Sequence, residues 1–133
     1  MTLRVFLVED NPVIRENLAA AMEELAPVQV IGFADDEPAA TNWIDAHPEG
    51  VDLVVIDIFL KRGSGLDVLR AASKLTEARK VVLSNYATPE VRRKCLELGA
   101  DRVFDKSNEI EALVAYCARF DAGETGHGRL SRR

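Results

Sequence analysis

Short apolar runs recur along the chain, and three of them break off at a polar residue. Leu3-Arg4-Val5-Phe6-Leu7-Val8 stops at Glu9-Asp10, Leu53-Val54-Val55-Ile56 at Asp57, and Lys80-Val81-Val82-Leu83 at Ser84. Val28 to Ala34 and the short stretch Asp101 to Asp105, followed by Lys106, complete the set. Leu53 to Ile56 is the most informative. A strand with one wet face alternates apolar with polar, so four apolar residues in succession describe a strand covered on both faces, as in parallel sheets.

Between the runs, apolar residues fall at helical spacing. Val13, Ile14, Leu18, Ala21, Met22 and Leu25 predict a covering helix that Asn11-Pro12 opens, with Arg15, Glu16, Glu23 and Glu24 on its other side. A second helix is predicted from about Glu37 to Ala46, packed by Ala40, Trp43 and Ile44 and broken by His47-Pro48-Glu49-Gly50. A third runs from Gly65 to about Leu75 on Leu66, Val68, Leu69 and Ala72. Thr88-Pro89-Glu90 has the form of an N-cap with proline in the first turn, opening a fourth helix through Val91, Cys95 and Leu98 to Gly99. Ser107-Asn108-Glu109 opens the fifth, with Ile110, Leu113, Val114 and Cys117 inward. By the same spacing Phe6, Phe33 and Trp43 are expected in the core.

Five strands alternating with five helices predict a doubly wound α/β sandwich, because parallel strands need crossover helices on both faces. In the flavodoxin-like order 2-1-3-4-5, ligands bind at the carboxyl ends of the strands, in the crevice between strands 1 and 3. Those strands end in Glu9-Asp10 and Asp57. One aspartate alone equally fits a strand end that caps the next turn. Three carboxylates on one crevice repel one another unless a cation sits among them. With no His or Cys nearby, an all-oxygen set suits Mg²⁺ better than Zn²⁺. Ser84 and Lys106 add a hydroxyl and an ammonium at the neighbouring strand ends. Carboxylate nucleophile, divalent ion, hydroxyl and ammonium are the parts for receiving a phosphoryl group, a transfer that is mostly positioning and charge neutralisation.

Composition narrows the setting. The 133 residues, 47% hydrophobic and 29% charged, suit one domain, expected over residues 1–121, with a glycine-rich polar tail at 122–133. A net charge of −5 argues against a nucleic-acid-binding body. Cys95 and Cys117 form no C-x-x-C and are expected as buried thiols. No signal peptide or membrane span is predicted, and the expected location is the cytoplasm, away from membranes.

Glu9-Asp10, Asp57, Gly65, Ser84 and Lys106, in this order over about residues 3–120, resemble the response-regulator receiver domain of two-component signalling. The resemblance implies that Asp57 is the phosphoacceptor. It makes Asp10 a direct Mg²⁺ ligand alongside Asp57, Glu9 a ligand through water, and the Phe59 backbone carbonyl a further ligand. Ser84 would donate to a phosphoryl oxygen and Lys106 pair with the phosphoryl charge. It implies a histidine kinase or histidine phosphotransfer protein as donor and a downstream partner reading the helix 4, strand 5 and helix 5 surface. No enzymatic action beyond the chain's own phosphorylation and dephosphorylation is implied.

Departures stand beside the match. Leu60-Lys61 replaces the Met-Pro common in the loop after the acceptor, and Ser107 replaces the proline that often follows the lysine. The position of the family's aromatic switch is Val103; Phe104 faces the other side of the sheet, because adjacent strand residues alternate. A pseudo-receiver serving only as an interaction module is the competing function, and the intact acid set favours the phosphoacceptor. A phosphohydrolase of the haloacid dehalogenase type would carry an acid two residues after the nucleophile, where this chain has Phe59. Too few residues follow the fifth helix for a helix-turn-helix domain. Gly63-Ser64-Gly65 lacks the spacing of a nucleotide loop and reads as a turn. Arg92-Arg93-Lys94 reads as a solvated helix face.

Overall fold

In a computed structural model, which describes residues 2–119, the expected alternation is complete. The strands are β1 (Leu3–Val8), β2 (Val28–Ala34), β3 (Leu53–Asp57), β4 (Arg79–Ser84) and β5 (Arg102–Asp105), all parallel, in the order β2-β1-β3-β4-β5. The helices are α1 (Pro12–Leu25), α2 (Glu37–Ala46), α3 (Gly65–Ala72), α4 (Pro89–Glu97) and α5 (Ile110–Arg119). The expected tail lies outside the described residues. No helix among the described residues is long and apolar enough to cross a membrane.

Successive residues of a strand enter opposite halves of the core. Phe6, Val8, Val54, Ile56, Val82 and Val103 pack on one face with Ile44 of α2, Leu69 of α3 and Cys95 of α4. Val5, Leu7, Leu53, Val55, Val81, Leu83 and Phe104 pack on the other with Leu18 and Met22 of α1 and Leu113, Tyr116 and Cys117 of α5. Both cysteines are therefore buried, one in each half. Phe6 stacks on Trp43 at 4.0 Å, and Gly32 makes the room: a β-carbon there would meet the indole nitrogen at 2.5 Å.

Three expectations fail. Of the apolar positions predicted to make α1 a covering helix, Leu18 and Met22 are buried, but Val13, Ile14 and Leu25 are exposed. Phe33 is exposed on the edge strand β2, with the Arg15 guanidinium of α1 lying 4.3 Å over its ring. The third helix ends at Ala72 rather than near Leu75. The amides of Ser73, Lys74 and Leu75 each bond three residues back, the Ser73 hydroxyl takes the Arg70 carbonyl at 2.7 Å, and Lys80 Nζ donates to the Leu75 carbonyl at 2.6 Å. The last turn is thereby tightened and closed, while Leu75 itself remains buried.

Candidate functional site

The strand registers bring the site together. Val8 lies beside Ile56, Asp57 beside Leu83 and Ser84 beside Asp105, so the carboxyl ends of β1, β3, β4 and β5 stand in line. Glu9 and Asp10 follow β1, and Lys106 follows β5, where its amide donates to the Ser84 carbonyl at 2.9 Å. Each element then turns away under a local device. Asn11 Oδ1 accepts from the amides of Val13 and Ile14 at 2.9 and 3.1 Å, capping α1. After Asp57, Gly65 donates to the Ile58 carbonyl at 2.9 Å, and a β-carbon at Gly65 would meet the Asp57 carbonyl oxygen at 2.2 Å. Only a glycine lets the chain return so closely under the acceptor strand. The Glu37 carboxylate pins the same loop by accepting from the Ser64 amide at 3.0 Å.

Glu9, Asp57 and Ser84 are buried and Asp10 is half-buried. Carboxylate oxygens of Glu9, Asp10 and Asp57 lie within 4.8 Å of one another. Lys106 Nζ stands 3.1 Å from Asp57 Oδ2 and 2.6 Å from Glu9 Oε1. Both oxygens form ion pairs with the ammonium, and the approach to Asp57 is also a hydrogen bond. Glu9 Oε2 accepts from the Asn11 amide at 3.1 Å. Burial pushes the Asp57 carboxyl up from 3.8 to about 6; Lys106 opposes this and the Glu9 charge adds to it. Burial also works against the Lys106 charge, but its pairs with Glu9 and Asp57 outweigh burial and hold it above the ordinary lysine value. Three acids around one ammonium leave the cluster short of positive charge. With only oxygen donors, and carboxylates that outnumber the one ammonium among them, these residues fit a hard divalent cation.

The residues two positions after Asp57 and Ser84 are both aromatic. The Phe59 amide donates to Asp57 Oδ1 at 3.3 Å and the Tyr86 amide to Ser84 Oγ at 3.0 Å. Their exposed side chains meet edge to face, centroids 5.5 Å apart. The predicted site residues Glu9, Asp10, Asp57, Ser84 and Lys106 thus fall together at one end of the sheet. Val103 packs against the α4 side and Phe104 against the α5 side, as alternation requires. No cis peptide bond occurs among the described residues, so Lys106–Ser107 is trans.

Residues 5–118 match the response regulator receiver domain family. The chain belongs to this family. Receivers of two-component response regulators are phosphorylated on an aspartate and bind Mg²⁺ as a family property. Among curated relatives, the chain is 31% identical over 99 residues to a protein-glutamate methylesterase/protein-glutamine glutaminase of Geobacter sulfurreducens, covering 74% of this chain and 26% of that protein. It is 33% identical over 121 residues to a probable transcriptional regulatory protein of Picosynechococcus, covering 86% of this chain and 47% of that one. The chain therefore spans half or less of these two relatives, whose names describe the whole proteins. Among solved structures, it is similar to the signal receiver domain of NarL from Mycobacterium tuberculosis, with a TM-score of 0.75 and 29% identity over 89% of this receiver and 97% of that one.

One functional contact had no sequence signal. Arg92 reads as a solvated residue of α4, yet it bonds backbone on two other segments, described below.

Proposed function

We propose that this receiver takes a phosphoryl group onto Asp57 from a phosphohistidine of a kinase or phosphotransfer protein and signals through its α4–β5–α5 surface. The observation that carries the reading is the placement of a buried carboxylate, held by Lys106, within an acid cluster that calls for a cation. An Asp57 oxygen attacks phosphorus, the P–N bond to the imidazole breaks, and the leaving nitrogen keeps the electron pair, protonating from solvent. Lys106 meets the charge on the transferred group, and Ser84 Oγ, whose acceptor side is already engaged by the Tyr86 amide, turns its proton to a phosphoryl oxygen. Glu9, Asp10, Asp57 and the Phe59 carbonyl would hold Mg²⁺, which when bound neutralises phosphoryl charge. Residues 1–121 are the proposed extent of the domain.

Incubation with Mg²⁺ and acetyl phosphate, followed by intact mass, tests the reading: one phosphoryl group is expected, and none would leave an interaction module. Asp10→Ala should weaken Mg²⁺ binding by roughly tenfold or more, about 1.4 kcal/mol, because Mg²⁺ draws on few protein ligands. Titration of both proteins with Mg²⁺ checks this, and equal affinities would remove Asp10 from the ligand set.

Phe59 and Tyr86 supply neither an acid nor an amide to aim a hydrolytic water, and their rings meet edge to face in the loops that follow Asp57 and Ser84. Loss of phosphate should therefore be slow, and Phe59→Asn or Tyr86→Glu should speed it roughly tenfold, a barrier change of about 1.4 kcal/mol. The check is phosphate loss over time with Mg²⁺ in excess. A wild type that decays as fast as the variants would show that the rings do not guard the site.

A further inference from the structure

The sheet ends at β5, whose outer edge has no strand partner. An open edge exposes backbone donors and acceptors that must be covered. Here two side chains do it. Arg92 Nη1 donates to the Val103 carbonyl at 2.8 Å, and Glu109 Oε1 accepts from the Asp105 amide at 2.6 Å. The two side chains are themselves paired, Arg92 Nη2 to Glu109 Oε1 at 3.1 Å. The third arm of the same guanidinium reaches elsewhere: Nε donates to the Ala87 carbonyl at 3.0 Å, in the loop of residues 85–88 between β4 and α4. That loop is tied to the site one residue before Ala87, where the Tyr86 amide donates to Ser84 Oγ. One planar group therefore spans the loop behind Ser84, the edge of β5 and the start of α5.

We propose that Arg92 is a positioning residue that carries the state of the phosphorylation site to the β5 edge, its fork latching the β4–α4 loop to Val103 and Glu109. The latch rests on the phosphoacceptor reading. When Ser84 Oγ moves toward a phosphoryl group on Asp57, the Tyr86 amide bonded to it moves too and draws Ala87 along. The guanidinium is rigid and its bonds are set by its plane, so it cannot follow Ala87 and keep both edge contacts. The edge contacts give way, and the Val103 carbonyl and the Asp105 amide open to solvent or partner. With valine at position 103, no aromatic ring there needs to report the change.

The amide hydrogen exchange of Asp105, followed by NMR on the full chain alongside intact mass, tests this. With acetyl phosphate and Mg²⁺, wild type should gain one phosphoryl group and its Asp105 amide should exchange about tenfold faster. Arg92→Ala should show the fast rate without phosphodonor and change little on adding it. Arg92→Lys, which keeps the charge without the fork, should fall between. If Arg92→Ala fails to fold, Glu109→Gln, which keeps an oxygen for the Asp105 amide but loses the ion pair, should likewise exchange faster before phosphorylation. A chain that gains phosphoryl mass while Asp105 exchanges at its original rate overturns the latch alone. A chain that gains no mass overturns the phosphoacceptor reading and the latch with it.

Discussion

Asp57→Asn should accept no phosphoryl group from acetyl phosphate and Mg²⁺, and in chelator at neutral pH it should be more stable than the wild type. The first outcome follows from the loss of the nucleophile and the second from the burial of its charge. An amide nitrogen or oxygen is no substitute for the carboxylate nucleophile, so incorporation is lost outright. The wild-type carboxyl is held at about 6 by burial, above its ordinary 3.8. A raised value in the folded state means that folding retains a proton the unfolded chain releases, so stability falls as pH rises from about 4 to about 6 and stays reduced above. That rise corresponds to about 3 kcal/mol. The variant also leaves Lys106 with Glu9 alone, which takes back part of the gain, so a net of about 1–2 kcal/mol is expected. Urea unfolding in chelator at pH 7 and near pH 4 measures it; the difference should shrink at the lower pH, where the wild-type carboxyl carries its proton. An Asn variant less stable than wild type at pH 7 would show that the Lys106 pair outweighs the cost of burying the charge.

Lys106→Ala should move stability the other way by a larger amount. Glu9 and Asp57 have side chains 2% and 7% exposed, and the ammonium between them is the counter-charge the structure gives them. Its removal leaves two buried carboxylates facing each other, a loss of about 3 kcal/mol at pH 7. Because the Lys106 value is raised in the folded state, its contribution is complete at every pH well below 10.5 and fades only as pH rises through the raised value. The pH dependence of the defect therefore comes from the acids: it should ease below about pH 6 as Asp57 takes a proton, and excess Mg²⁺ should offset it at pH 7. Phosphorylation should persist in this variant, since nucleophile and acids remain, while the response at the β5 edge weakens. A stability loss that neither acid nor Mg²⁺ reduces would mean that Lys106 serves packing rather than charge.

Much of this was legible because polar residues end apolar runs. The break at Asp57, the Glu9-Asp10 pair and Ser84 each mark a strand end, and the alternation of elements then forces those ends to one side of a parallel sheet. What was hidden depends on partners that carry no side-chain identity. Arg92 bonds the carbonyls of Ala87 and Val103, and any residue supplies a carbonyl. The end of α3 depends on bonds that Ser73 and Lys80 make to backbone, so a periodicity extending to Leu75 overruns it. Phe33 follows the strand pattern of a buried residue, but β2 is an edge strand, and the run itself does not say which strand forms the edge. Tyr116, buried with its hydroxyl 3.3 Å from Arg79, lies in the inward stripe of α5 at a position where its polar tip gives no hint of burial.

The alignment of strand ends also divides the molecule into two poles. Every residue of the proposed phosphorylation site leaves the sheet at the carboxyl pole, whereas the turns at His47 to Asp52, Thr76 to Ala78 and Gly99 to Asp101 lie at the amino pole. Substitutions there are expected to change how much folded protein a cell maintains more than the chemistry at the carboxyl pole. The two poles are thus free to drift separately: one under selection for signalling, the other for abundance. An insertion, fluorescent label or fusion at the exposed Glu49-Gly50 turn is the engineering counterpart of that freedom.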